Sequence, residues 1–305
     1  SGERVRFVIG APVIEEREER CGVLFVQLQT YTEFQRLSAP MTASSSDPRN
    51  APSSTPEHPS RSARTVLILG GAGGIGSALT RLLTGKGVHV VAAGRTSASL
   101  DALAAETGCA TKVIDARDFG AVETVVREIH EQGSLAGAVN CVGSILLKPA
   151  HLVSEADFDE TVGQNLRSAF ALVRAVGRVC SREKGDVRIA LLSTAAASIG
   201  LPNHEAIAAA KAGVEGLVRS AAATYARAGI RVNAVAPGLV DTPLASRITS
   251  NERALEMSRG LHALGRIGQP DDVAKALAWL LDPATDWVTG QVIGVDGGLS
   301  SVRAP

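Results

Sequence analysis

Residues 65–79 read TVLILGGAGGIGSAL. The first five are continuously apolar or β-branched, which fits a strand buried on both faces rather than a half-exposed one. Gly70, Gly74 and Gly76 then follow a G-x-x-x-G-x-G spacing. Beyond them Ile75, Leu79, Leu82 and Leu83 recur at the interval of one helix face. A buried strand, a glycine turn and an amphipathic helix in this order make a nucleotide-binding βα unit. Such a loop must turn sharply, bring its backbone against a pyrophosphate, and aim helix N–H groups at it. Side chains would obstruct all three, so Gly70, Gly74 and Gly76 set the turn, and Ala72, Gly73 and Ile75 of the same loop are further candidates for cofactor contact.

The same texture continues outward. Short apolar runs (VHVVAA, ATKVID, GAVN, VRIALL, IRVNAVA and QVIGV) alternate with helix-like segments as far as residue 295. Strict alternation predicts an α/β, Rossmann-type doubly wound parallel sheet of about seven strands flanked by helices, a single domain over 65–305. No internal repeat is visible. Residues 1–40 alternate apolar and polar in RVRFVI and VLFVQLQ, as a small hairpin or as upstream, non-native sequence; Met41 reads as a natural start. Residues 41–64 are rich in Ser and Pro and read as a linker or leader.

The second run ends VVAAGRTSAS. In this kind of fold an acid at that point accepts from the adenosine ribose and repels a 2′-phosphate. Here Gly94 is followed by Arg95, Thr96 and Ser97, a guanidinium and two hydroxyls that suit a phosphate. The expected cofactor is NADP rather than NAD; the bland alternative is that Arg95 is a solvated surface charge.

Composition narrows the remaining classes. The chain has 305 residues and a formal net charge of +0. That gives no electrostatic footprint for nucleic acid or an anionic membrane. No apolar run is long enough to span a bilayer. The four cysteines, Cys21, Cys109, Cys141 and Cys180, lack metal or disulfide spacing, so no metal is expected and a reducing, cytoplasmic setting is. The acidic run EEREER near the start is unlike a secretory signal.

Taken together, these motifs resemble the short-chain dehydrogenase/reductase family, in the single-domain subgroup that includes the 3-oxoacyl-carrier-protein reductases. The resemblance covers about residues 65–300. It implies that Asp115, with Ala116 beside it, contacts adenine. It implies that Asn140, Val142 and Gly143 in NCVG correspond to the family's Asn-Asn-Ala-Gly loop, with Cys141 in place of an Asn. Asn165 matches the helix Asn that supports the proton relay. Pro237, Gly238, Val240 and Thr242 match residues set against the nicotinamide carboxamide and the pyrophosphate. Many NADP-dependent members carry a basic residue where this chain has Gly73, which leaves Arg95 to hold the phosphate with less help. A homotetramer or homodimer is implied, through long helices around residues 155–180 and 204–228. The segment between the sixth and seventh strands, rich in Leu, Ile and Arg, is expected to cover a small-molecule substrate.

The resemblance breaks at the catalytic residues. The family uses a Ser, a Tyr thirteen positions on, and a Lys four beyond that. Counting back from Lys211 gives Ile207 at the Tyr position and Thr194 at the Ser position, without a gap. A Tyr has an ordinary pKa near ~10; an ammonium one helical turn away favours phenolate and brings proton exchange closer to neutrality. Ile207 has no proton to give. Losing a general acid typically costs about a hundred- to ten-thousand-fold in rate. Tyr225 lies eighteen residues further on, roughly 27 Å along a continuous helix. His204, three residues before Ile207, is the nearest stand-in, with capping of the helix start as its plainer role. The candidate catalytic set is Asn165, Thr194, Lys211 and His204, and the resemblance gives Lys211 a second task, holding the nicotinamide ribose.

Two functions remain at this point. One is an NADPH-dependent oxidoreductase with an atypical site, reducing a C=O or an iminium-like C=N bond. The other is an NADP-binding pseudoenzyme or scaffold, or a non-redox enzyme using the same pocket.

Overall fold

The computed structural model describes residues 64–133, 135–183 and 185–303. The expectations for residues 1–63, including a hairpin, a linker and a start at Met41, fall outside the described residues.

Seven strands form one sheet: β1 Thr65–Leu69, β2 His89–Gly94, β3 Ala110–Val113, β4 Leu135–Asn140, β5 Val187–Leu192, β6 Ile230–Pro237 and β7 Val292–Val295. Their order is β3-β2-β1-β4-β5-β6-β7, and every pairing is parallel. The central strands β1, β4 and β5 are buried throughout, as their unbroken apolar runs require, whereas the edge strand β3 is largely exposed.

The helices are α1 Gly74–Thr84, α2 Ser97–Thr107, α3 Phe119–Glu131, α4 Glu155–Val162, α5 Ser168–Cys180, α6 Glu205–Tyr225, α7 Ser246–Thr249, α8 Glu252–Leu261 and α9 Pro270–Leu280. Their apolar stripes build two cores. On one face Val122, Val126, Leu172, Val176, Val214 and Val218 of α3, α5 and α6 pack on the sheet. On the other, Leu79, Leu83, Leu100, Leu103, Val273 and Leu277 of α1, α2 and α9 do so. Full burial of each such side chain stabilises the fold by about 1.5–3 kcal/mol.

The expected helix over 155–180 is interrupted by a π-helical turn, Gly163–Arg167. Asn165 lies in it and donates from Nδ2 to the carbonyl of Thr161 at 2.9 Å. A side chain bonding back one turn competes with the helix ladder, and the widened turn accommodates it. Tyr225, at the end of α6, packs against Gly177 of α5, where an added Cβ would lie 2.7 Å from its Oη.

From β1 at the sheet centre the strands wind outward to β3, and the path then returns to β4 on the other side of β1. The loops after β1 and β4 therefore diverge in opposite directions. A crevice opens at that switch point, where this class of sheet binds its ligands.

Candidate active site

Gly70 follows β1 with φ +74°, and its N–H donates to the carbonyl of Ala93 at 2.7 Å. A Cβ on Gly70 would lie 3.0 Å from the backbone of both Cys141 and Val142. The β1 and β4 loops thus pass each other at a distance only glycine permits. A Cβ on Gly74 would lie 2.7 Å from Cγ2 of Thr242. Helix α1 begins at Gly74 with no side-chain cap and no acid in its first turn. Its free N–H groups face the crevice, the arrangement that accepts an anion. A cleft of about 340 Å³ runs along these residues.

Most of the candidates for cofactor contact line this cleft: Gly70, Ala72, Gly73, Gly74, Ile75, Arg95, Thr96, Asp115, Ala116, Val142, Gly143 and Thr242. Others stand behind it. Gly76 packs under the carbonyl of Gly70. Asn140 is buried and shapes the loop, accepting from the Val142 N–H at 3.1 Å and donating to Oγ of Ser168 at 2.9 Å. Val240 is buried in the core beside α1 and α9. Pro237 ends β6, and Gly238 opens onto a second cavity. The cleft also takes in Cys141, Gln164 and Leu244, which no sequence motif had singled out for contact.

Charge is unevenly distributed along the rim. Asp115 is bound by Arg117 at 2.7 Å, and that guanidinium also holds Glu160 at 2.7 Å. The side-chain bond from Arg117 keeps the Asp115 carboxyl below the usual carboxylate range. Arg95, exposed at the same rim, has no hydrogen-bond or ion-pair partner among the described residues.

Lys211 and Ile207 lie one turn apart on α6. Lys211 is 7 % exposed, and its Nζ donates to the carbonyl of Leu192 at 2.7 Å. Burial pulls its pKa down to about 8, with Cys141 opposing. Burial also pushes the Cys141 thiol up to about 12. Gly143 crosses above this amine: a Cβ there would lie 2.9 Å from Asn165 Oδ1 and 3.7 Å from Lys211 Nζ. Asn165 is committed elsewhere as well, donating to Ser144 Oγ at 3.0 Å and accepting from the Ser144 N–H at 3.3 Å. Ser144, directly after NCVG, is a partner that sequence reasoning missed.

A second cavity, about 540 Å³, adjoins this end of the site. Thr194, His204, Ile207 and Gly238 line it, with Ile248, Met257 and Leu261 from the covering segment, and among the described residues no tyrosine does. Ile207 is 6 % exposed. The Thr194 hydroxyl sits 3.5 Å from the Pro237 carbonyl and accepts from the Ala196 N–H at 3.3 Å. His204 Nδ1 lies 2.8 Å from the Pro202 carbonyl. A carbonyl only accepts, so this bond puts the hydrogen on Nδ1 and leaves Nε2 as the working nitrogen. The preceding residue, Asn203, has φ +63°, and its carbonyl accepts from the Lys148 N–H at 2.8 Å. His262, a lone histidine without any sequence pattern, lines the cavity from the other side. Its Nδ1 lies 2.6 Å from the Ser258 carbonyl and its Nε2 accepts from the Leu239 N–H at 3.2 Å.

Comparison with known proteins agrees with this geometry. Residues 70–300 match the family model described as Enoyl-(Acyl carrier protein) reductase. A 3-oxoacyl-[acyl-carrier-protein] reductase of Thermotoga maritima is 34 % identical over 244 residues, 77 % of this chain and 97 % of the relative. A cis-4-hydroxycyclohexanecarboxylate dehydrogenase of Sinomonas cyclohexanicum is 34 % identical over 245 residues, 78 % of this chain and 97 % of the relative. Among solved structures, an actinorhodin polyketide ketoreductase with NADPH superposes with a TM-score of 0.73 at 26 % identity, covering 79 % of this chain and 99 % of that one. The seven-stranded fold, the glycine cradle at its switch point and these matches together make the chain a member of the short-chain dehydrogenase/reductase family.

Proposed function

We propose that this chain is an NADP-dependent oxidoreductase that reduces a C=O or an iminium-like C=N bond of a small organic substrate, through an atypical site that uses no tyrosine. Membership of an oxidoreductase family supports the reaction class. The observation that carries the cofactor reading is Arg95, without a hydrogen-bond or ion-pair partner among the described residues, at the rim of a glycine cradle whose helix N-terminus is uncapped. A guanidinium left free there is suited to a ribose phosphate. Among the described residues the one acid lining the cleft, Asp115, is already paired with Arg117. The NADPH named for the structural relative points the same way.

In this reading the uncapped N-terminus of α1 holds the pyrophosphate, Asp115 and Ala116 face the adenine, and Lys211 holds the nicotinamide ribose beneath Gly143. Pro237, Gly238, Val240 and Thr242 lie against the nicotinamide carboxamide and the pyrophosphate, with Thr242 beside Gly74. When bound, the reduced nicotinamide supplies hydride to the substrate carbon. Thr194 orients the substrate from the floor of the apolar cavity. An alkoxide product needs a proton; His204 supplies it as the imidazolium, giving up the Nε2 proton from the cavity wall and keeping the Nδ1 proton on the Pro202 carbonyl. Asn165, with its amide tied to Ser144 and Thr161, acts by fixing the loop that carries Gly143. A C=N substrate that is already cationic needs no proton at this step, which suits a site with Ile207.

One observation favours the competing reading of an NADP-binding scaffold: Ile207 is apolar and, among the described residues, no tyrosine lines either cavity. NADPH consumption against a panel of ketones, cyclic imines and enones separates the two. The oxidoreductase predicts turnover with at least one class, and in ketone reduction His204→Ala loses most of it. The three described cysteines are free thiols, in keeping with a cytoplasmic setting, and among the described residues no helix is long and apolar enough to cross a membrane. The exposed Phe158 and Phe170 on α4 and α5 suit a homotetramer or homodimer packed through those helices.

A further inference from the structure

The apolar cavity has a distinct electrical character. Ile145, Leu147, Ile207, Ile248, Met257 and Leu261 supply apolar wall, and among the described residues neither Asp nor Glu lines it. Its polar side chains are mostly engaged. Ser258 donates to the Ala254 carbonyl at 2.8 Å, and Asn251 caps α8 by accepting from the Ala254 N–H at 3.0 Å. Both nitrogens of His262 are bonded, and His204 and Thr194 each hold a backbone partner. Arg253, on the first turn of α8 and exposed at the cavity, has no hydrogen-bond or ion-pair partner among the described residues. The nearby Glu256 is engaged by Arg259 at 3.2 Å.

We propose that this cavity takes a substrate whose reacting group sits on an apolar frame ending in a carboxylate, and that Arg253 binds that carboxylate. The inference rests on the reading of the cavity as the substrate site of a reductase. An amine at the far end of the frame would meet one cation and no acid. A neutral end would leave the guanidinium in water. A carboxylate matches its fork geometry with two parallel hydrogen bonds.

The test uses the full chain saturated with NADP⁺ and two probe pairs: 4-oxocyclohexanecarboxylate and levulinate, each beside its own methyl ester. Calorimetry gives the Kd of each, and NADPH oxidation gives KM. In each pair that binds, the free acid is expected to bind about ten- to a hundredfold more tightly than the ester, the range of a charge-assisted pair. R253Q is expected to bring acid and ester within about twofold of each other, and R253K to keep part of the preference. Acid and ester binding alike in the wild type, a preference that survives R253Q, or no binding by either pair would each overturn the proposal. Failure to bind NADP⁺ at all would instead overturn the cofactor reading beneath it, so the two failures are distinguishable.

Discussion

Lys211 spends one hydrogen bond on the carbonyl of Leu192, 2.7 Å away, at the end of β5. That bond fixes a buried amine under the Gly143 loop, one turn after an isoleucine. Burial holds its pKa at about 8, below the ordinary lysine value of about 10.4. The ammonium is therefore complete in mildly acidic solution and is lost as pH rises through about 8. If it holds the ribose, NADPH affinity should weaken across that point. Lys211→Met should bind more weakly at every pH and lose the dependence. Fluorescence titration of NADPH from about pH 6 to pH 10 checks both.

The same shift has a consequence for stability, of the opposite sign. Between about pH 8 and 10.4 the unfolded chain holds a proton at this lysine that the folded chain has released. Stability from this site should therefore rise with pH over that window. Below it both states are protonated and the burial cost stands in full. Thermal melts of the protein and Lys211→Met at matched pH, without cofactor, should diverge least at the alkaline end.

Ile207→Tyr puts a phenol one turn before Lys211 in a cavity already lined by Thr194. If the natural reaction is ketone reduction with a weak proton source, ketone turnover should rise by about a hundred- to ten-thousand-fold. Ile207→Phe fills the same volume without the hydroxyl and should give no gain. An iminium substrate should respond little to either. Steady-state kcat for a ketone and a cyclic imine separates these cases.

Gly74→Ala brings a methyl to 2.7 Å from the Thr242 side chain. A threonine rotamer change relieves part of the clash, so the variant should fold but bind NADPH at least tenfold more weakly. Gly70→Ala meets unyielding backbone at 3.0 Å and carries φ +74°. The left-handed conformation alone costs about 1–2 kcal/mol, and the melting temperature should fall. Calorimetric melts and NADPH titration of the two variants test this contrast.

Cys141 replaces an Asn of the family's loop and faces the cofactor cleft, yet burial pushes its thiol up to about 12. Burial likewise raises Cys180 to about 11. Thiolate is the nucleophile, so both should resist alkylation at neutral pH. Mass spectrometry after iodoacetamide treatment should find them unmodified in the folded protein and modified once denatured.

The fold was legible because parallel strands buried on both faces leave unbroken apolar runs, and TVLIL, VRIALL and IRVNAVA are β1, β5 and β6. The cradle was legible because Gly70, Gly74 and Gly76 sit where no side chain fits. Asn165 was found by resemblance, but its π turn and its bonds to Ser144 arise from tertiary contacts that no local pattern encodes. His262 and Arg253 come from a covering segment whose composition is that of an ordinary amphipathic helix. Only the folded cavity distinguishes them from surface residues. The absence of an acid along that cavity is likewise a property of the assembled wall.

Redox chemistry with NADP at a site that carries Ile207 is the proposal that sets this chain apart. Its most direct test is NADPH oxidation by the purified full chain, run against matched ketones, cyclic imines and enones, with NADH in parallel. Stoichiometric NADPH loss and reduced product are expected for at least one class, with NADPH preferred over NADH. Tight NADPH binding with no oxidation by any class would contradict it and leave a cofactor-binding scaffold.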